Sequence, residues 1–242
     1  MKHSQRAWKG WKPISGSTWR RASFSGEVAA TRLLTALGFG ADRVTLVSRV
    51  RCFGCPVSPF YSRVLAKGTH LESLLRRARN YAEFHDFEWT SVEHKLKGEE
   101  IAGVGDKGWA FYELAHIDPA RGGASGQEVD ALRLMAVFLA HWDNKARNQR
   151  LTCSSPVERD GRCRQPLVIL QDVGATFGPR KVNLSTWRDI PIWSDDEGCR
   201  VSMERLPHDG ATFGEVSISE GGRRLLADRL TEAVDLDLAR LT

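Results

Sequence analysis

The chain has 242 residues, 41% of them hydrophobic and 27% charged, with a formal net charge of +5. That length suits one large domain or two small lobes around a sizeable core, and the balance is ordinary for a globular protein. No apolar run approaches the roughly 18 residues that a membrane span needs, and the first residues lack the apolar segment of a secretory signal, so a soluble, cytoplasmic protein is expected.

The charge is uneven. Residues 1–25 carry Lys2, Arg6, Lys9, Lys12, Arg20 and Arg21, interleaved with Trp8, Trp11 and Trp19, and no acid precedes Glu27. This segment reads as a basic leader without fixed structure; an Arg-rich leader without acids is also the composition of a transit peptide. A basic, aromatic arm could also bind nucleic acid, with Arg76, Arg77 and Arg79 as a second basic face, a reading the chain favours less.

From residue 26 onward the apolar spacing of Val28, Leu33, Leu34 and Leu37, stopped by Gly38, predicts a helix. Residues 44–52 read as a strand running into a Pro-containing loop. Residues 70–87 have helical periodicity. Residues 95–114 read as a hairpin whose second strand is WAFYEL, 109–114, and 118–125 as a loop. Gly103-x-Gly105-x-x-Gly108 falls inside that hairpin and reads as its turn, since it lacks the strand-then-helix context of a dinucleotide site.

Ser125 stands three residues before Glu128, the spacing of a capping box. Behind it, Val129 to Ala140 are apolar nearly all round, which predicts an interior helix. Residues 166–172, PLVILQD, predict a short apolar strand ending at Asp172. The tail reads as two helical pieces with Ser219 and Thr231 as N-caps. GATFG occurs at 174–178 and again at 210–214, a coincidence of turn chemistry.

The five cysteines are an odd number, against a complete disulfide framework. Cys52 and Cys55 form C-x-x-C, and with Cys153 and Cys163 they offer four thiolates that a structural zinc could use; the alternative is reduced thiols.

The chemistry-bearing stretch is HWDNKARNQ, 141–149, directly behind the apolar helix. His141-x-Asp143-x-Lys145-x-x-Asn148 resembles the catalytic loop of the protein kinase-like superfamily, with Trp142 where Arg is usual. Asp172-Val173-Gly174, 24 residues past Asn148, resembles the metal-binding D-F-G element with Val for Phe. The order of buried helix, loop, apolar strand and D-x-G carries the resemblance, which spans roughly residues 26–178 and is nearest to atypical bacterial members of the HipA and lipid-kinase-like sort. The alternative makes 141–149 a polar helix end and Asp172 a turn residue.

The resemblance implies a kinase-like two-lobed fold: a reduced or truncated small lobe over 26–115 and a mostly helical large lobe over 116–242. It implies ATP and Mg²⁺ as cofactors and a hydroxyl-bearing acceptor, protein or small molecule. Asp143 would orient or deprotonate the acceptor, Lys145 would face the γ-phosphate, and Asn148 and Asp172 would hold Mg²⁺. Upstream, Glu27 would partner an ATP-binding lysine, and backbone near Glu113 and Leu114 would meet adenine. Only Lys2, Lys9 and Lys12 precede Glu27, the last directly before Pro13, so no central lysine-bearing strand is expected there. Two further readings stand beside the enzyme: an impaired pseudokinase or nucleotide-binding module, and the nucleic-acid-binding protein.

Overall fold

A computed structural model describes residues 11–12, 18–55, 80–101, 108–158, 163–178, 182–203 and 213–235. The protein is mixed α and β, with small antiparallel sheets, and its chain divides into two compact units. One unit comprises residues 1–24 with 44–93, the other 25–43 with 94–242.

The first unit holds a three-stranded sheet in the order β1-β3-β2, with β1 Trp11–Lys12, β2 Arg43–Phe53 and β3 Phe84–His94. β1 is an edge strand that pairs Trp11 with Val92 and Lys12 with Ser91. So the leader is not wholly without structure: Trp11 and Lys12 are paired, and helix α1, Thr18–Ala36, begins seven residues before Ser25 ends that segment. The two-residue strand that carries Lys12 lies at the sheet's edge and not at its centre. Residues 84–87 belong to β3 and not to a helix; the rest of the predicted helix up to residue 79 lies outside the described residues. The Asn80 side chain accepts from Ala82 N and donates to Glu83, an Asx turn that leads into a stretch rich in aromatic and β-branched residues.

The second unit is built on α2, Gly126–Phe138. Ser125 caps it as expected: its Oγ accepts from Glu128 N, and the Glu128 carboxylate accepts from Ser125 N and Oγ. Those bonds hold the Glu128 carboxyl below its ordinary pKa. Val129, Ala131, Leu132, Leu134, Met135, Ala136 and Val137 are all buried, so the helix is the core's axis. A short helix α3, Leu184–Arg188, and a C-terminal helix α4, Glu220–Asp235, come later in the chain. The same core holds Leu34 from α1 and Leu37 just after it, Phe111 and Leu114, and Leu226 and Ala233 from α4. Truncating a fully buried side chain such as Met135 to Ala would cost about 2–5 kcal/mol.

The stretch 109–114 is not a strand. Phe111–His116 is a 3-10 turn: the Glu113 carboxylate accepts from Ala110 N, Phe111 and Leu114 point inward, and Tyr112 is exposed. Apolar residues three apart are what a 3-10 turn places on one side. The expected hairpin is likewise replaced: β4, Glu99–Glu100, pairs with β5, Gln149–Cys153, and β5 pairs with β6, Pro166–Leu170. Gly108, with φ +97°, packs its backbone against the carbonyls of Ala146 and Gln149, where a Cβ would collide. The tail helix is one piece over Glu220–Asp235; Ser219 caps it through Gly222 N, whereas Thr231 bonds the Ala227 carbonyl inside it.

The cysteines are neither zinc ligands nor all free. Cys52 is bonded to Cys55 and Cys153 to Cys163, and among the described residues only Cys199 is a free thiol. A disulfide sulfur is not a thiolate ligand. No described helix is long and apolar enough to cross a membrane. Arg76, Arg77, Arg79 and residues 1–10 lie outside the described residues.

Candidate functional site

The end of the interior helix α2 sets the path of the loop behind it. Ala140 N–H bonds the Val137 carbonyl at 2.8 Å and His141 N–H bonds the Ala136 carbonyl at 3.0 Å, with Ala140 at φ +50°. This is a Schellman-type stop, with Ala in the left-handed position that Gly usually takes. It turns the chain sharply out of the core and starts the loop 141–148 from a rigid base.

Within the loop three predicted residues come together. The Asn148 side-chain amide donates to the Asp143 carbonyl at 2.9 Å, while Lys145 Nζ lies 2.5 Å from Asp143 Oδ1. Asn148 N–H bonds the Lys145 carbonyl, closing a 3-10 turn over Ala146–Asn148. Asp143 and Lys145 keep about a quarter of their side-chain surface in solvent, 25% and 22%, so both can meet a ligand.

The fourth residue arrives through the hairpin. Gln149 is registered with Leu170, and Gln171 N–H bonds the Asn148 carbonyl at 2.9 Å, so Asp172 comes directly after, at the same end of the two strands. Asp172 sits at φ +51°, a left-handed conformation that Asp tolerates better than most side chains. Beyond it, Phe177 N–H bonds the Leu139 carbonyl, and Trp187 Nε1 donates to the Phe138 carbonyl while its ring packs edge-on against Phe138 and Phe177. Both flanks of the site are thereby pinned to the end of α2.

Beneath the loop His141 is fully buried, and neither of its ring nitrogens has a hydrogen-bond partner among the described residues. Burial pushes its pKa down to about 4, only partly opposed by the charges of Asp143 and Asp172. The imidazole is therefore neutral at neutral pH. Its ring meets Phe111 edge-on, which is how the 3-10 turn supports the loop. Asn144, also fully buried, donates to the His141 carbonyl.

Of the upstream candidates, Glu27 is buried on α1, and its neighbour Gly26 lies against Val182 and close to Gly174 and Thr176, in the segment after Asp172. Glu113 and Leu114 are different: the Glu113 carboxylate closes its own turn, and Leu114 is core. Neither lies on a strand edge.

Among the described residues no group of three or more His, Cys, Asp or Glu side chains is placed to hold a metal ion. The residues that could hold one at the loop are Asn148 and Asp172, whose main chains the Gln171–Asn148 bond brings to the same end of the hairpin. Asn148 uses its amide nitrogen on Asp143, which turns its chemistry toward offering oxygen. Carboxylate and amide oxygens are donor types that Mg²⁺ takes, through one or two protein ligands, with the rest of its shell from water and substrate. Sequence reasoning missed Asp42, Arg150 and Gln171, which bond one another beside Asn148 and Asp172. No protein-family model and no curated protein matches this sequence.

Proposed function

We propose that this chain is a Mg²⁺- and ATP-dependent phosphotransferase of the protein kinase-like kind, acting on a hydroxyl acceptor. What supports the reading is the convergence of Asp143, Lys145 and Asn148 on one loop, with Asp172 at the same end of the β5–β6 hairpin. Four residues at motif spacing match that chemistry by residue type, and the fold gives them a common location.

The roles rest on charge and reach. Asp143 accepts a hydrogen bond from the acceptor hydroxyl and takes its proton as the phosphoryl group transfers. Lys145 sets a cation beside that carboxylate, toward the negative charge of the transferred group. Asn148 and Asp172 would hold Mg²⁺, which when bound with ATP neutralises charge on the phosphates. His141, neutral and buried, supports the loop without supplying charge.

ATP turnover or autophosphorylation of the wild type, against Asp143→Ala and Asp172→Ala, tests this. Turnover in the wild type that falls by about 100-fold or more in both variants is expected. Equal residual activity in all three proteins refutes the enzyme. Stabilisation of the wild type by Mg²⁺·ATP without any turnover selects the non-catalytic nucleotide-binding module instead.

A further inference from the structure

The residue pair that flanks the proposed ligands is tied to one buried carboxylate from far away in the chain. α1 gives way to Gly38, and the next residues run along β6: the Gly40 carbonyl accepts from Leu170 N at 2.9 Å, and Ala41 bridges Leu170 in parallel. Only glycine fits at position 40, because a Cβ would run into the Val168 carbonyl. This docking delivers Asp42 to the site end of the hairpin, where it is 1% exposed.

Both Asp42 oxygens are engaged. Oδ1 accepts from Leu96 N at 2.8 Å and from Arg150 Nη2 at 2.5 Å, and Oδ2 accepts from Gln171 Nε2 at 2.6 Å. Arg150 is itself buried and stands two residues after Asn148. Gln171 stands immediately before Asp172, and its own N–H holds the Asn148 carbonyl. Asp42 therefore grips, through one side chain each, the strand that leaves Asn148 and the strand that reaches Asp172.

Stability alone is a poor reason for this arrangement. A buried ion pair contributes little net stability compared with apolar residues of the same volume, because both charges must be desolvated. What it does supply is a fixed geometry. Asp172 occupies a left-handed backbone conformation, and such a conformation persists where the surroundings over-determine it. Outer groups that orient metal ligands matter at the level of tenfold to a hundredfold in affinity.

We infer that Asp42 is a positioning residue for the Asn148–Asp172 ligand pair, acting through Gln171 and Arg150. The inference rests on the proposed function, since it assigns the network a task only if those two residues hold a metal-bound nucleotide.

The test is calorimetric titration of the full chain with Mn²⁺·ADP, compared with ADP in EDTA, so that the readout is the metal-dependent gain in affinity. Four proteins are compared: wild type, Asp172→Ala, Gln171→Met and Asp42→Asn. Gln171→Met removes one donor and leaves the Asp42–Arg150 pair in place, so the chain keeps its fold, as a thermal melt verifies. The metal-dependent gain is expected to vanish in Asp172→Ala and to fall about tenfold in Gln171→Met. Asp42→Asn is expected to fall at least as far, because it also takes the counter-charge from buried Arg150. A wild-type gain lost in Asp172→Ala but unchanged in both Gln171→Met and Asp42→Asn overturns the positioning role and leaves the proposed function standing. No metal-dependent gain in the wild type overturns both.

Discussion

The Asn148 side chain donates to the main-chain carbonyl of Asp143 at 2.9 Å, five residues back along the loop. One bond thus sets the distance between the proposed catalytic carboxylate and a proposed metal ligand. Asn148→Ala removes the bond and the ligand together, and Asn148→Asp removes the donor but keeps a ligating oxygen. Both should lose about 1 kcal/mol in urea unfolding. ATP turnover should separate them, with the Asp variant retaining more. Identical turnover in the two would mean that Asn148 matters only as a strut.

Asp172 makes a second demand, on its backbone. At φ +51° it sits where an ordinary L-residue is strained by about 1–2 kcal/mol, whereas Asn and Asp are tolerated. Asp172→Asn should therefore match wild-type stability to within about 0.5 kcal/mol, and Asp172→Ala should lose about 1 kcal/mol. Both should lose turnover. Equal urea midpoints for the two variants would show that the left-handed turn carries no cost here.

Much of this site was legible because its signals are local. The Ser125–Glu128 cap, the apolar run behind it and the strand 166–170 each depend on neighbours in sequence. So does the spacing of Asp143, Lys145 and Asn148, which one loop keeps. Trp109 to Leu114 misled because a run of aromatic and apolar residues suits a strand or a tight turn equally. The turn is closed by the Glu113 carboxylate on Ala110 N and by Glu113 N–H on the Ala110 carbonyl. Phe84 to Phe87 misled in the opposite direction, where helical spacing yielded to strand pairing. Asp42 gave no local sign at all. Its partners Arg150 and Gln171 are 108 and 129 residues away, and only the docking of residues 40–42 on β6 brings them within reach.

The disulfides were hidden for the same reason, since pairing depends on the fold. Cys153 and Cys163 close the far end of the β5–β6 hairpin, with 10 residues of separation, and Cys153 is buried. Closing a loop of that size stabilises a fold by roughly 2–3 kcal/mol through the unfolded chain. Reduction should lower the unfolding free energy by about that amount while leaving metal-dependent ADP binding unchanged, because Asn148 and Asp172 lie at the opposite end. Thiol titration of the folded, non-reduced chain should find Cys199 reactive and these two unreactive. Prompt reaction of Cys153 without reductant would contradict the pairing.

His141 makes stability depend on pH. Its folded pKa of about 4 lies below the ordinary 6.5, because burial disfavours the imidazolium. Between those two values the unfolded chain holds a proton that the folded chain does not. Stability must then fall as pH drops from about 6.5, and this contribution levels off below about 4. A shift of that size corresponds to a loss on the order of 3 kcal/mol across the window. His141→Leu, similar in volume and without polar atoms, should remove this slope. It also removes two buried nitrogens that lack hydrogen-bond partners among the described residues, so the variant should be at least as stable as wild type at about pH 5. Urea unfolding at intervals from about pH 7 to about pH 4 checks this. An unchanged slope in His141→Leu would mean that other groups set the acid sensitivity.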